Sequence, residues 1–408
     1  MNNLNTPRFL DPNTPPTLFT LVVIAATAAL SLNIFLPSLP AITEYYGASY
    51  GVIQFLISGY LLTTAIVQFL VGPLSDRFGR RPVLLGGLML FIIASVICAT
   101  AENITILLMA RVLQSSVVAG FAVSRAAIRD MISGKGAASM IGYVSMGMAI
   151  APMMAPTLGG FLQEFFGWQA AFWVLAAAGS FTLLLVWRDL GETNLFKSSS
   201  MSDQFRSYPA LLKSRRFWAY AGCAGLASAC FFAMLGGAPF VGDVVYGLSP
   251  SQLGLYFIFT PMGYMLGNFF TGRYAERFGI YHLMITGTVI TTVGMTLSLI
   301  VILLGAAHPM AFFGFTISIG IGNGLVIPNA TAGMLGIHPR LAGTAAGLGG
   351  AMLTLSGAAI SALVAILLTE DRGVYPLLIC IIVCAVLAYF LARYAASVEN
   401  EMESASPV

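Results

Sequence analysis

Charged residues are scarce in this 408-residue chain: Asp, Glu, Lys and Arg together make up 9% of it, against roughly 25% in a soluble domain. With 58% of its residues hydrophobic, the sequence excludes water as its main solvent. A formal charge of +3 is too small to mark a nucleic-acid-binding surface, and no nucleic-acid partner is expected. Cysteine is scarce, and Cys98, Cys223, Cys230, Cys380 and Cys384 all fall inside apolar runs, so there is no disulfide framework. Cys380 and Cys384 stand four apart on one helical face, but no His or acid stands beside them. Their expected role is packing, and neither a metal nor any other cofactor is anticipated. The chain has no Walker loop, which argues against direct use of nucleotide hydrolysis. It also has no HExxH or GxSxG that would mark a membrane enzyme, so no enzymatic activity is expected.

What the chain does have is long apolar runs, at 18–36, 52–71, 83–100, 104–127, 137–163, 168–187, 217–241, 251–270, 281–304, 310–330, 341–368 and 375–394. Each is about the ~20 residues a helix needs to cross a bilayer, which predicts an all-α membrane protein of twelve spans. The first run is too long for a signal-peptide core, has no basic flank beyond Arg8, and ends in LPSLP rather than a cleavage site, so it reads as a retained helix. Placing both termini in the cytoplasm puts Arg8, Arg77, Arg80, Arg81, Arg129, Lys135, the bases of 188–216, Arg273, Arg277, Arg340 and Arg393 on that side. Only Arg372 is left outside, which is the positive-inside pattern. The outer turns carry acids instead: Glu44, Glu102, Glu164, Asp243, Glu370 and Asp371. This divides the chain into a cytoplasmic tail (1–16), a six-helix half (17–188), a Ser-rich, mixed-charge cytoplasmic linker (189–216), a second half (217–394) and a tail (395–408).

Between the second and third runs stands GPLSDRFGRRP, from Gly72 to Pro82. Its four charges cannot lie in lipid. Gly72 and Gly79 permit tight turns, Pro73 and Pro82 stop and start helices, and Asp76 can pair locally with Arg77, Arg80 and Arg81. A degenerate copy begins at Gly272, with Glu276, Arg277, Phe278 and Gly279 matching Asp76, Arg77, Phe78 and Gly79, so the chain reads as a duplication. The first copy resembles the loop G-x-x-x-D-R-x-G-R-R of the major facilitator superfamily, matched at Gly72, Asp76, Arg77, Gly79, Arg80 and Arg81. That resemblance implies two six-helix halves related by an axis along the membrane normal, with a substrate site between them near the midplane. It also implies a gating role for the loop: Asp76 would face the start of the eleventh helix, and the arginines would approach the acid ending the fourth, Asp130.

Arg111 lies about eight residues inside the fourth run, too deep for comfortable snorkelling, and so reads as functional rather than structural. With Gln114 it resembles the R-x-x-Q motif of the superfamily's drug exporters, although Ser115 stands where Gly is common. SRAAIRD, containing Arg125, Arg129 and Asp130, is similar to the end of the fourth helix in the Bcr/CflA drug-resistance exporters. APMMAPTLGG, from Ala151 to Gly160, resembles the antiporter motif of the fifth helix through Pro152, Pro156, Gly159 and Gly160, with Ala151 and Ala155 in place of its leading glycines. Small residues there allow a close crossing and the prolines supply bends, although a merely kinked helix has the same composition. GWQAAFW from Gly167, GET from Gly191, YGLSP from Tyr246, the pair Pro328 and Asn329, and AGTAAGLGG from Ala342 extend the resemblance to Bcr/CflA-type exporters along the whole chain.

One position departs from that family. Where its members carry an Asp ahead of an aromatic-Leu-Pro at the end of the first helix, this chain has Asn33 in LNIFLPSLP, and no acid falls near the middle of any run. An amide cannot titrate. Either an acid at the mouth such as Asp243 or Glu44 couples protons, or coupling is weak or absent. A carboxylate at position 33 could meet Arg111 if the two helices share a cavity. The resemblance implies a bacterial inner-membrane monomer that exports small drug-like molecules by alternating access as a proton-coupled antiporter. Its partners would be the substrate, protons and the bilayer. Two alternatives stay open: an exchanger or facilitator of a small anionic metabolite that pairs with Arg111, and a non-transporting receptor on the same fold. Candidate cavity residues are Asn33, Arg111, Gln114, Phe231, Met234, Tyr256, Asn268 and Asn329, the last five being aromatic, Met or amide groups at mid-helix depth.

Overall fold

The computed structural model describes residues 8–12, 14–131, 154–194, 211–337 and 342–405. Every described element is a helix, the only open-ended structure whose backbone N–H and C=O groups are all satisfied within one segment in lipid. In chain order the α-helices are α1 (Leu18–Asn33), α2 (Leu39–Tyr46), α3 (Tyr50–Ile53), α4 (Phe55–Phe78), α5 (Arg80–Ala99), α6 (Ile104–Gln114), α7 (Ala119–Met131), α8 (154–166) and α9 (Gln169–Asp189). They continue with α10 (Arg215–Phe240), α11 (Pro250–Tyr256), α12 (Phe259–Phe278), α13 (Ile280–Leu303), α14 (Met310–Phe313), α15 (Ile317–Gly336), α16 (Ala342–Leu367) and α17 (Tyr375–Ala405).

Among the described residues, ten helical segments are long and apolar enough to cross a membrane. Two of the twelve runs read from the sequence are not among them. The run 137–163 lies partly outside the described residues, which take it up at α8. The run 251–270 is broken after Tyr256, and its longer piece, α12, carries Asn268, Arg273, Glu276 and Arg277. Several spans change pitch midway. A 3-10 turn over Ser115–Val118 separates α6 from α7, and another over Gly314–Thr316 separates α14 from α15. Large apolar side chains on the outer faces, such as Phe165, Leu304 and Ile366, are exposed, as lipid-facing positions require.

The duplication seen in the sequence is present in the geometry. α4 ends at Phe78, Gly79 turns at φ +106°, and α5 starts at once; α12 ends at Phe278, Gly279 turns at φ +77°, and α13 starts at once. Both glycines occupy backbone conformations that a Cβ disfavours, which is why the repeat keeps Gly there. The guanidinium before each turn sits over the ring that follows it, Arg77 at 5.4 Å from Phe78 and Arg277 at 5.5 Å from Phe278.

By contacts the chain divides into two units, Met1–Ala48 with Ile66–Gln204, and Ser49–Ala65 with Phe205–Val408. The first is built on α5 against α9 and α6, with α1 against α9 and α7. The second is built on α10 against α16, α17 and α15, with α12 and α13 packed on α15. The start of the second span belongs to the second unit: Gln54 is buried and donates from Nε2 to the Gly236 carbonyl, and the Tyr50 hydroxyl donates to the same oxygen at 3.2 Å. A division at the linker does not foresee this, because hydropathy gives the ends of a helix and not the neighbours of each of its turns.

Candidate functional site

Residues three apart on a helix share a face, and on α6 that spacing places Arg111 beside Gln114. Both are completely buried. Arg111 Nη1 donates to Gln114 Oε1 and, at 3.3 Å, to the carbonyl of Ser31. Its guanidinium lies 4.2 Å from the centroid of the Phe35 ring. Gln114 Nε2 donates in turn to Ser95 Oγ at 2.7 Å, tying α6 to α5. A cation held in this way gains about 2 kcal/mol from a desolvated ring and more from charge-assisted hydrogen bonds, which offsets part of the cost of its burial. The rigid fork of arginine can reach an amide and a carbonyl while its face rests on an aromatic; an ammonium cannot.

A carboxylate at position 33 was expected to meet Arg111 if the two helices share a cavity; the native amide of Asn33 makes no bond to it. Its Nδ2 turns back to the Ala29 carbonyl at 2.6 Å on its own helix, while Arg111 takes Ser31 and Phe35 on either side of it. Asn33 Oδ1 is buried with no hydrogen-bond partner among the described residues. The short amide reaches the preceding turn of α1 more easily than a neighbouring helix, and the backbone leaves the α-helix at Asn33 so that Phe35 swings under the guanidinium. An unmet buried acceptor costs roughly 1–3 kcal/mol and marks a place where a donor is lacking.

The fifth-span motif presses on this same point. A Cβ added at Gly159 of α8 would lie 1.6 Å from the Ile34 carbonyl oxygen, so the two backbones are in contact next to Asn33. Pro156 and Gly160 are buried there as well, and so is Ala155. The contact with Ile34 is made by Gly159, one of the two closing glycines of the motif; Ala151 and Pro152 lie outside the described residues.

The loop residues are organised from an unexpected direction. Arg80 is buried, donates from its guanidinium to Ser75 Oγ at 2.6 Å, and gives its backbone N–H to Glu192 at 2.9 Å. Arg81 gives its backbone N–H to Glu192 at 3.3 Å and its guanidinium to the Trp187 carbonyl at 2.8 Å. Glu192 therefore caps α5, whose N-cap, Gly79, has no side chain to do so. Sequence reasoning gave Glu192 no such role, assigning it to the linker; the available signals were its place three residues past the end of one span and within the GET motif from Gly191. Arg77 is exposed. Gly72, expected at a turn, falls inside α4 with Asp76, and Arg129 and Asp130 fall in α7; the side chains of Asp76, Arg125, Arg129 and Asp130 lie outside the described residues.

The second unit holds the remaining candidates. Met234 is buried in α10, and Phe231 stacks edge-on with Phe232 at 5.3 Å. Tyr256 stacks on Phe313 at 5.1 Å, and Asn268 donates to the Tyr264 carbonyl at 2.8 Å. Asn329 is buried and donates to the Leu325 carbonyl at 2.7 Å and to Thr271 Oγ1 at 3.2 Å. Pro328 has no N–H to give the Gly324 carbonyl, and Thr271 Oγ1 fills that place at 2.8 Å. Asn329 and Pro328 are thus a joint between α15 and α12.

These features agree with what the chain is similar to. A family profile described as Major Facilitator Superfamily matches residues 21–260 and 244–407. An uncharacterized MFS-type transporter of Bacillus subtilis, YdgK, is 32% identical over 385 residues, covering 91% of this chain and 94% of that protein. Multidrug resistance protein D of Escherichia coli is 28% identical over 378 residues, covering 88% and 91%. The fold is shared with a solved peptide transporter, POT, in complex with alafosfalin: the TM-score is 0.76 at 14% identity, over 96% of each chain. With a profile match that spans nearly its whole length on an all-helical membrane architecture, this chain belongs to the Major Facilitator Superfamily and is a transporter rather than an enzyme.

Proposed function

We propose that the protein exports small drug-like molecules across the bacterial inner membrane by alternating access, with Arg111 and Gln114 anchoring the substrate. The observation that carries this reading is the burial of Arg111 deep in a span, where a charge is retained only for use or for pairing. The resistance named for the Escherichia coli relative supports the substrate class. In this reading twelve spans form two six-helix halves, both termini are cytoplasmic, and the chain works as a monomer. Asn33, Phe231, Met234, Tyr256, Asn268 and Asn329 line the path in the open states. Asp76, Arg77, Arg80, Arg81, Arg129 and Asp130 close the cytoplasmic side, with Gly72, Gly79, Pro152, Pro156, Gly159 and Gly160 supplying turns and crossings.

Because Asn33 cannot titrate, proton antiport at this position is lost, and any coupling passes through an acid nearer the mouth. A second reading, exchange of a small anionic metabolite, is favoured by the sign of the one charge buried beside Asn33, which is positive. Inverted vesicles separate the two. Drug accumulation sensitive to Arg111→Ala supports export of drugs, and counterflow of a carboxylate without drug movement supports exchange. No flux of either kind at normal abundance would overturn both.

A further inference from the structure

Asp189, the last residue of α9, is completely buried and faces the start of α1. It accepts from the backbone N–H of Leu10 at 2.7 Å and of Thr17 at 2.9 Å, and from the hydroxyls of Thr17 at 2.9 Å and Thr20 at 2.6 Å. Thr17 is the N-cap of α1, and Thr20 is its third helical residue. In a capping box that third residue is Glu or Gln and takes the N-cap amide itself. Here it is Thr, and the carboxylate arrives from another helix. The chain ahead of α1 is drawn in as well. Gly191 N–H donates to the Thr14 carbonyl at 3.2 Å, and Leu10, whose N–H Asp189 holds, is the one non-glycine residue with positive φ among those described. A leucine at φ +62° is strained, and it persists only where its surroundings hold it.

The contact with Asp189 is the first of three between α1 and its antiparallel neighbour α9. Further along, Thr27 Oγ1 and Thr182 Oγ1 share a buried hydrogen bond of 2.8 Å. Beyond the end of α1, Phe35 stacks on Phe172 with centroids 5.9 Å apart. Phe35 is the ring beneath Arg111. We infer that Asp189 is a positioning residue for the Arg111 site: by capping α1 from α9 and holding the amides of Leu10 and Thr17 ahead of it, it sets the axial register of α1 and thereby the seat of the guanidinium. A helix of this length is a stiff rod of about 24 Å, so a slip at one end arrives at the other. The second unit makes a corresponding tie, in which Glu399 near the end of α17 pairs with Arg216 in the first turn of α10 at 2.6 Å.

The transport arm of the test rests on the export reading; the exchange arm does not. In hydrogen–deuterium exchange on the full chain, Asp189→Ala should speed exchange at the amides of Leu10 and Thr17–Thr20 by about tenfold or more. Thr20→Val should act in the same direction but less, and the double variant should be no worse than Asp189→Ala alone. In vesicles at equal abundance, Asp189→Ala and Thr27→Val should raise the KM for export several-fold more than they lower its maximal rate, and Asp189→Glu should recover part of the loss. Unchanged exchange at residues 10–20, additive effects in the double variant, or a loss of maximal rate with KM intact would overturn the inference. If Asp189→Ala fails to accumulate, Thr17→Val with Thr20→Val keeps the carboxylate, removes both hydroxyl donors, and is read in the same way. Should the wild type export nothing, the export reading fails and the exchange arm still decides this one.

Discussion

Arg111 and Asn33 lie in neighbouring helices and set different demands: one is a buried charge whose Nη1 is held by Ser31 and Gln114, the other a buried carbonyl oxygen with no donor among the described residues. For Arg111 the geometry demands a planar fork. Arg111→Lys should cut transport by roughly one to two orders of magnitude, the worth of a charge-assisted hydrogen bond, and Arg111→Ala should abolish it at equal abundance. Wild-type drug resistance in cells carrying Arg111→Ala would return the residue to a packing role. Asn33→Asp places a carboxyl group, which can take up and release a proton as an amide cannot, where the wild-type oxygen already lacks a donor among the described residues. Flux across imposed pH gradients, with membrane potential held constant, should depend more steeply on the gradient in Asn33→Asp than in the wild type, most of all for cationic substrates. Complete collapse of wild-type flux without a gradient would instead require another acid, with Asp243 and Glu44 the first to examine.

Helices approach one another here through residues with no side chain to spare. α8 lies against the Ile34 carbonyl at Gly159, where even a methyl group would sit 1.6 Å from oxygen. Gly159→Ala should therefore destabilise the first unit by about 1–3 kcal/mol, the usual cost of overpacking, and lower the thermal unfolding temperature in detergent. Gly86→Ala, on α5 with no atom within 4 Å of the added carbon, should cause no loss. Equal shifts in the two variants would mean that helix propensity, and not the crossing at Ile34, decides the outcome. The capping of α5 by Glu192 makes a similar demand on an element's end, since its first two N–H groups have no donor-satisfying side chain at Gly79.

For the whole molecule, alternating access requires contacts that form on one side of the membrane only while that side is shut. In our reading, the end of α4 and the start of α5, on either side of Gly79, supply them. Asp76→Asn should bias the protein toward the state open to the cytoplasm and slow turnover, while substrate affinity stays within a few fold. Binding by tryptophan quenching, set against vesicle flux, separates these effects. A large loss of affinity with normal turnover would remove the loop from gating.

The membrane class, the duplicated loop and the three-residue spacing of Arg111 and Gln114 were all legible in the sequence. Each depends on local spacing: run length against bilayer thickness, Gly at the turn after Phe78 and again after Phe278, and two polar residues three apart on one helix. The interior partners were not legible. That Asn33 bonds back to Ala29, that Gly159 meets the Ile34 carbonyl, and that Asp189 and Glu192 cap helices far from them in the chain all depend on which turns of which helices meet. Hydropathy cannot give this, because in a bilayer the lipid-facing and helix-facing sides are both apolar and the pattern that orients a soluble helix is largely erased. The sequence thus determined where helices run and where charge is rare enough to matter, and the tertiary structure decided what each rare polar group touches.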